Sequence, residues 1–495
     1  MNVQECPRAR KIRVSLLFLL AVAAFAVGCS NPEKAKAEHL SRGESLLKEA
    51  KYQEASIEFR NAIQLDDKLA AAHWGLAQAY EKLGRVGESV EELQKTVQLD
   101  PANAAARLKL GNAYILAYSN PAQRKPEYLD EAERYAREIL AKDENNIDGQ
   151  ILLANVVYLK GQPDQARANE QALKMLKHAI ELDPQRVESY MGLAHFYLNS
   201  GKPADAEATY KQAVSVNDRS SLAHVEYGKF LVQTNHPEQA EAEFVKAAAV
   251  DPQNRDVQWV LASFYLINKR MDKAEEAYSA WAHLDWETPD GRARLADYYA
   301  TVGRYDDAAN LYQEINNKWS DYARGRYRLG EILLQRGDAA GAGAQVADLI
   351  KRDPHNMDAL FLRARMSLAS NKVKDAINDL KAVLDQEPRS QLGLYFMSEA
   401  LYRDGQFEGA RGRAGELERY YPDFLPAKLL QVQINFDSGD AAAAKRLATE
   451  LLERVAKTAP NGAQSPQLLA DLKTNTLTLR GKSNLALAGA SKTPA

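Results

Sequence analysis

Cysteine is almost absent from this sequence: Cys6 and Cys29 are the two thiols in 495 residues. Two cysteines cannot form the disulfide framework of a small secreted domain. They also exclude a zinc or iron–sulfur site built from several thiolates. The stability of the folded chain must therefore come from packing.

The sequence also has no large excess of charge of one sign. The 64 lysines and arginines nearly balance the 67 aspartates and glutamates, for a formal net charge of −3. A chain without excess positive charge has no general attraction for nucleic acid, so we predict no nucleic-acid partner. Valine, isoleucine and threonine are sparse beside alanine, leucine, glutamate, lysine, arginine and glutamine, and this composition favours helices.

The amino terminus has the pattern of a targeting segment. Basic residues between positions 8 and 13 precede an apolar run, Val14 to Val27, which is shorter than the roughly 20 residues that a membrane-spanning helix needs. Small residues at 26–28 lead into Cys29, and this junction resembles the lipobox of bacterial lipoproteins. The resemblance implies cleavage before Cys29 and lipid attachment to its thiol. The alternative is an ordinary signal peptide or signal anchor with an incidental cysteine.

This resemblance sets the expected location. Residues 1–28 would be a cleaved lipoprotein signal peptide, and residues 29–36 the lipidated cysteine and a polar tether. Ser30 stands where an aspartate would resemble an inner-membrane retention signal. We therefore expect an outer-membrane lipoprotein that faces the periplasm, with the periplasmic face of the inner membrane as second choice.

The rest of the chain repeats with a period of about 34 residues. Asp-Pro or Glu-Pro pairs recur near the ends of units, and a small residue, usually alanine, precedes each proline position by twelve residues. Glycines mark the turn between the two halves of a unit, as in Gly84, Gly201 and Gly303. Small residues let two helices approach closely, and each hairpin buries its exposed face against the next.

These residues resemble the tetratricopeptide repeat family. The resemblance implies an all-α, right-handed superhelical solenoid of about twelve helix–turn–helix hairpins over residues 37–460. We expect a C-terminal capping helix at 461–487 and a disordered tail at 488–495. Two insertions, Ser119–Glu127 and Gly161–Glu170, are expected as loops at hairpin tips.

Motifs that carry chemistry are missing. The sequence contains no HExxH, no GxSxG, no Walker-type glycine loop and no paired cysteines. We predict that the chain is not an enzyme, and that it has no catalytic residue, metal site or cofactor. His39, His73 and His224 share one repeat position, and we assign them a packing role.

The family resemblance places positions 5 and 9 of the first helix of each hairpin on a concave surface. Position 9 is polar throughout, and position 5 is often aromatic or large. The predicted concave binding residues are Trp74, Gln78, Asn112, Met191, His195, Lys229, Trp259, Asp297, Tyr327, Glu331, Phe361, Arg365, Tyr395 and Glu399. The alternative is that position 5 only packs and position 9 only faces water.

Taken together, these features predict a lipid-anchored scaffold for protein–protein interactions in a bacterial envelope assembly. Its partners would be envelope proteins that place an extended peptide or a helix in the concave groove. A lipobox followed by such an array resembles the lipoproteins of exopolysaccharide export and PEP-CTERM systems. The alternative is a periplasmic glycan-binding protein that uses the aromatic residues directly, with a polysaccharide as ligand.

Overall fold

The computed structural model describes residues 32–120, 124–161, 163–458 and 466–490. Within these ranges the chain forms twenty-five α-helices and no β-strand. All helices but the last pair as twelve consecutive hairpins, so the prediction of an all-α array of about twelve helix–turn–helix units is confirmed. The predicted signal peptide and Cys29 lie outside the described residues.

The chain divides after Asp251 into two compact units. Unit 1 contains hairpins 1 to 6, with helices α1 (Pro32–Lys48), α2 (Tyr52–Leu65), α3 (Ala70–Lys82), α4 (Val86–Leu99), α5 (Ala104–Ser119), α6 (Pro126–Leu140), α7 (Ile147–Leu159), α8 (Gln165–Leu182), α9 (Val187–Asn199), α10 (Pro203–Val216), α11 (Ser221–Gln233) and α12 (Pro237–Val250). The odd-numbered helices are the first helix of each hairpin, called helix A below, and the even-numbered ones are helix B.

Unit 2 begins at Pro252 and contains hairpins 7 to 12. Its helices are α13 (Arg255–Ile267), α14 (Met271–His283), α15 (Pro289–Thr301), α16 (Tyr305–Lys318), α17 (Ala323–Gln335), α18 (Ala339–Arg352), α19 (Met357–Ala369), α20 (Val373–Gln386), α21 (Gln391–Arg403), α22 (Phe407–Tyr420), α23 (Leu425–Asp437), α24 (Ala441–Lys457) and the unpaired α25 (Pro466–Ala490). No helix in the described ranges is both long enough and apolar enough to cross a membrane.

The turn inside a hairpin requires a left-handed residue. Gly84 (φ 72°) and Gly303 (φ 81°) supply it without steric cost. In other hairpins an asparagine takes the same place, as Asn235 (φ 61°) and Asn371 (φ 55°) do, because asparagine tolerates this conformation better than most residues. Ala50 (φ 57°) and Lys269 (φ 56°) take this conformation in two further hairpins, so the turn favours glycine or asparagine without requiring them.

Small residues in the core let the two helices of a hairpin approach. In hairpin 6, a Cβ atom added to Gly228 of α11 would lie 2.5 Å from ring carbon Cε1 of Phe244 on α12. Ala240, one turn before Phe244, is completely buried. The small and large residues that repeat along the sequence are thus the two halves of one contact, in which the ring fills the space that the small residue leaves.

Helices A form the more closely spaced layer of each unit. In most cases neighbouring helices A contact one another, whereas neighbouring helices B have no comparable contact in the described parts of the chain. The surface formed by helices A is called the inner surface below. It is the surface on which the sequence places positions 5 and 9.

Three segments differ from the sequence-based expectation. Helix α1 begins at Pro32, so most of the predicted tether is helical, and the Lys36 ammonium lies 2.7 Å from the Asp66 carboxylate. The insertion predicted as a loop at Gly161–Glu170 is helical from Gln165 onward, because its residues lengthen the start of α8. Helix α25 continues to Ala490, into the predicted tail.

Hairpin 12 is complete despite polar residues at core positions. The Gln431 side chain donates hydrogen bonds to the Ala414 carbonyl (3.1 Å) and to a Glu418 carboxylate oxygen (3.0 Å), and Asn435 donates to the Gln431 carbonyl (2.7 Å). Buried polar groups with such partners carry little desolvation cost. Helix α25 then packs on α24 and α23 through buried residues on one stripe, which are Leu469, Leu472, Thr476, Leu479 and Ser483.

Candidate functional site

The inner surface of unit 2 carries a continuous set of ion pairs across three helices A. Arg328 of α17 donates from Nε to Asp297 of α15 (3.0 Å) and from Nη1 to Glu331 of its own helix (2.7 Å). Arg365 of α19 donates to the other oxygen of Glu331 (2.8 Å). The predicted position-9 residues Asp297, Glu331 and Arg365 are therefore brought together, and they pair with each other and not only with water.

A buried tyrosine anchors one end of this network. The Tyr312 hydroxyl on α16 donates to Asp297 Oδ1 at 2.6 Å, and the Tyr312 side chain is fully buried. Burial, helped by the Asp297 carboxylate, raises the pKa of Tyr312. The phenol therefore stays protonated and remains a hydrogen-bond donor, which fixes Asp297 toward Arg328.

Unit 1 has a shorter network in which the acid and the base exchange positions. Glu226 of α11 accepts from His195 of α9 (3.3 Å) and from Lys229 of its own helix (2.7 Å). The hydrogen bonds from His195 and Lys229 lower the pKa of Glu226 to about 2. His195 and Lys229 are predicted position-9 residues, and Glu226, which sequence reasoning missed, connects them.

The remaining position-9 residues are more local. The Gln78 side chain donates to the Trp74 carbonyl of the same helix (3.4 Å), and Glu399 pairs with Arg403 one turn later (2.5 Å). Asn112 is exposed on α5. These three residues are not joined to a neighbouring hairpin by the contacts found among the described residues.

Position 5 is mainly a packing position. Met191 and Phe361 are buried, whereas Trp74, Tyr327 and Tyr395 are half-buried. Trp259 of α13 is the exception, because half of its surface (50%) is exposed to solvent. Among the position-5 residues predicted to bind, Trp259 therefore offers the largest free aromatic surface.

Rings in hairpins 10 to 12 stack edge to face along the inner surface. The ring centroid of Phe396 lies 5.4 Å from that of Phe361 and 5.3 Å from that of Tyr395, and Tyr395 lies 5.5 Å from Phe424. The Arg365 guanidinium lies 5.9 Å from the centroids of both Phe361 and Phe396. The charged network therefore ends against an aromatic cluster.

A groove of about 750 Å³ opens beside these rings. The first residues of α19 and α21, the last residues of α20 and the loop that joins α20 to α21 line it. Its walls include the position-5 side chains Tyr327 and Phe361 and the exposed Leu392 (47% exposed). This groove is a concavity of unit 2 that position-5 side chains from two neighbouring hairpins line.

The repeated histidines form charged clasps. Nδ1 of His73 lies 2.5 Å from Glu92 and its Nε2 lies 3.0 Å from the carbonyl oxygen of Asp67. His224 repeats the arrangement, with Glu243 at 2.6 Å and the Asp218 carbonyl at 2.9 Å. Since both ring nitrogens face acceptors, both must carry a proton. The hydrogen bond to the glutamate accordingly raises the pKa of His73 and of His224.

These histidines do not make a metal site. Across the described parts of the chain, no group of three or more histidine, cysteine, aspartate or glutamate side chains could hold a metal ion. The histidines thus tie helix A to helix B and to the preceding loop, which is a more specific task than the packing role predicted for them.

Sequence reasoning missed the residues at position 6. Arg328 and Glu226 both stand three residues before a position-9 residue of opposite charge, at Glu331 and Lys229. This spacing places the two side chains on one face of a helix, so it was a readable signal. The pairing of each position 6 with position 9 of the preceding hairpin was not readable, because it depends on how neighbouring hairpins are offset.

Comparisons with known proteins agree with this geometry. One family model, described as a tetratricopeptide repeat, matches residues 40–104, 228–289, 294–356 and 364–424, and a second with the same description matches residues 168–225. Together they leave unmatched residues 32–39, the region of the two insertions (105–167), three stretches of at most seven residues, and the described residues after 424. A search of curated proteins found no match.

Several solved structures are similar to this chain. A tetratricopeptide repeat protein from Parabacteroides merdae is 20% identical over 49% of this chain and 88% of its own, with a TM-score of 0.40. Yeast Tom70 is 14% identical over 93% of this chain and 100% of its own, with a TM-score of 0.37. Pseudomonas aeruginosa pilF is 22% identical over 46% of this chain and 99% of its own, with a TM-score of 0.29. On the family models, which match more than half of its residues, the chain belongs to the tetratricopeptide repeat proteins.

Proposed function

We propose that this chain is a non-catalytic, lipid-anchored scaffold that holds partner proteins of a bacterial envelope assembly. The observation that carries the proposal is the extent of the array, since tetratricopeptide hairpins and one terminal helix account for the described residues. Repeat arrays of this kind present an extended surface to partner proteins. The partner would lie on the inner surface, where the grooves and the exposed Trp259 are found.

The anchor would be Cys29, acylated after removal of residues 1–28. The basic segment, the apolar run and the small residues before Cys29 support this proposal. Several acyl chains would hold the chain at a membrane essentially permanently. We propose the outer membrane with the array in the periplasm, and, by resemblance to lipoproteins of exopolysaccharide export, a role in polymer synthesis or export.

A peptide partner suits the inner surface better than a glycan does. Sugar binding by stacking needs a series of exposed aromatic faces, but Phe361 is buried and Trp74, Tyr327 and Tyr395 are half-buried. An extended peptide needs one or two apolar recesses beside polar groups. The groove beside Phe361 and the adjoining network of Arg328, Glu331 and Arg365 have this character.

Affinity capture tests the scaffold. Full-length protein would be purified from detergent-solubilised envelopes, together with the variants Trp259→Ala and Val245→Ala, and co-purifying proteins would be identified by mass spectrometry. Val245 is a matched control, because it is an exposed apolar side chain (44%) on a helix B. We expect a defined set of proteins that Trp259→Ala loses and Val245→Ala keeps. Identical sets from all three proteins would exclude the inner surface around Trp259 as the binding site for these partners.

Metabolic labelling tests the anchor. Cells that express the wild type, Cys29→Ser or Cys6→Ser would be grown with an alkyne-tagged fatty acid, and labelled protein would be detected after envelope fractionation. We expect that Cys29→Ser alone loses both the label and membrane association. The two cysteines of the chain thus control for each other. Label retained by Cys29→Ser would contradict lipid attachment at this residue.

A further inference from the structure

The groove beside Phe361 has an apolar wall. Phe361 and Met357 of α19, Val383 of α20 and Leu392 of α21 line it. Leu392 keeps 47% of its surface exposed and adjoins Phe361 and Met357 in this wall, so the apolar surface is larger than one side chain. This wall loses water contact only when another apolar group enters the groove.

Two carboxylates at the same groove have no ion-pair partner in the described parts of the chain. Asp358 of α19 and Glu387, the residue after α20, both line it. No ion pair or hydrogen bond to either carboxylate is found among the described residues. By contrast, the nearby acid Glu331 is paired with Arg328 (2.7 Å) and Arg365 (2.8 Å).

The local field around Asp358 is negative. Partial enclosure in the groove raises the pKa of Asp358, and the carboxylates of Glu331 and Glu387 raise it further. The groove also contains Arg389, whose guanidinium lies 4.9 Å from the ring centroid of Tyr420 in a cation–π contact. Arg389 keeps its positive charge in that contact, but it forms no ion pair with Asp358 or Glu387, and the two carboxylates leave the groove with an excess of negative charge.

From this combination we infer that the groove binds an extended segment of a partner protein that carries a lysine or arginine next to an apolar side chain. The basic side chain pairs with Asp358 and Glu387, and the apolar side chain covers Leu392 and Phe361. Charge complementarity selects the basic residue, and burial of the apolar wall supplies affinity. The inference rests on the proposed scaffold function and specifies the chemistry of the partner segment.

A peptide-array experiment tests the inference. Full-length protein in detergent would be probed against immobilised short peptides of randomised sequence, and so would the double variant Asp358→Asn/Glu387→Gln. The control is Asp385→Asn, because Asp385 lies on α20 but lines a different groove. Circular dichroism would confirm equal helix content for all three proteins.

We expect the wild type and the control to select peptides with a lysine or arginine beside a leucine, isoleucine or phenylalanine. The double variant should bind those peptides about tenfold more weakly, the factor that corresponds to 1.4 kcal/mol in binding free energy. Leu392→Ser should also weaken the binding of those peptides, without changing the preference for basic residues.

Two results would overturn the inference. One is selection of acidic or uncharged peptides by the wild type, and the other is the same basic preference in the double variant. Either result leaves the scaffold in place if affinity capture still yields partners that Trp259→Ala loses. If neither peptides nor envelope proteins bind the wild type, the scaffold function itself is contradicted.

Discussion

The two units use the same repeat geometry with different charges. In unit 2 the network on the inner surface begins with an acid, Asp297, which accepts from Arg328 of the next hairpin. In unit 1 it begins with a base, His195, which faces Glu226 of the next hairpin. In both, position 9 of one helix A meets position 6 of the following one. The backbone therefore fixes which repeat positions meet. Either position can hold the acid, provided that the other holds a group that can donate to it.

The clasp at position 4 differs between the units in the same way. In unit 1, His73 and His224 each reach a glutamate on helix B and the carbonyl of the preceding loop. In unit 2, Gln258 donates to the Pro252 carbonyl (3.2 Å) and Arg292 to the Trp286 carbonyl (3.0 Å). Arginine and glutamine do not titrate near neutral pH, but histidine does. Unit 1 thus has a pH-dependent connection that unit 2 lacks at these positions.

The largest effect is expected from overfilling one hairpin. Ala240→Trp forces an indole between α11 and α12, where Ala240 is fully buried, and should cost about 3 kcal/mol or more. Because repeat stability is a sum of hairpins and their interfaces, amide exchange should accelerate in hairpins 5 and 6. Ala376→Trp, at the matching position of hairpin 10, should do the same there. Uniform loss of protection over both units in either variant would contradict separate stabilities.

The ion-pair networks should differ in strength. Arg328→Ala removes the cation that joins Asp297 to Glu331, which are 29% and 16% exposed, and leaves each acid with one fewer charged hydrogen bond. We expect a loss of about 1–3 kcal/mol in urea unfolding. Glu226→Ala leaves His195 and Lys229, which are 47% and 50% exposed and can be solvated, so a loss below about 1 kcal/mol is expected. Equal losses would show that exposure of the partners does not decide the outcome.

The stabilities of the two units should depend differently on pH. The folded pKa of His73 and of His224 is raised, mainly by the hydrogen bond to Glu92 and Glu243 respectively. The stability that these clasps contribute is therefore complete below the ordinary histidine pKa of about 6.5, and it is lost as pH rises through the folded pKa. Amide exchange, corrected for its intrinsic pH dependence, should show unit 1 weakening above neutral pH relative to unit 2.

A glutamine that occurs naturally at position 4 suggests the control for this experiment. Gln258 holds the loop carbonyl at position 4 without a titrating group. The double variant His73→Gln/His224→Gln should therefore keep the loop contact and remove much of the pH dependence from unit 1. A pH profile unchanged by the double variant would assign the dependence to other groups.

The repeat made most of the fold predictable from the sequence. The small residue at Ala240, the large one at Phe244 and the turn glycine at Gly303 recur at fixed spacing, so one packing rule covered twelve hairpins. The insertion near Gln165 was misread because extra residues can extend a helix as readily as a loop, and local pattern does not distinguish the two.

The sequence indicated which repeat positions of helix A are polar, but not which residues their side chains contact. Position 9 is polar in every hairpin, yet Asp297, Glu331 and Arg365 form ion pairs with residues of neighbouring hairpins. Those pairs join residues about 30 positions apart, and their partners are set by the offset between hairpins. For the same reason, the sequence did not show that Asp358 would have no ion-pair partner among the described residues.

The smallest effect on stability is expected from Trp259→Ala. Its free energy of unfolding is best compared with that of Trp74→Ala, at the same position 5 in unit 1. Trp74 in unit 1 packs against the cluster of Leu93 and Leu110, so Trp74→Ala should cost about 2 kcal/mol. Trp259→Ala removes a side chain that is half exposed, and we expect a change within about 0.5 kcal/mol. Urea unfolding of the two variants measures both values. A loss at Trp259 as large as that at Trp74 would mean that this tryptophan holds its hairpin together, and weaker partner capture by Trp259→Ala could then no longer be assigned to a lost contact surface.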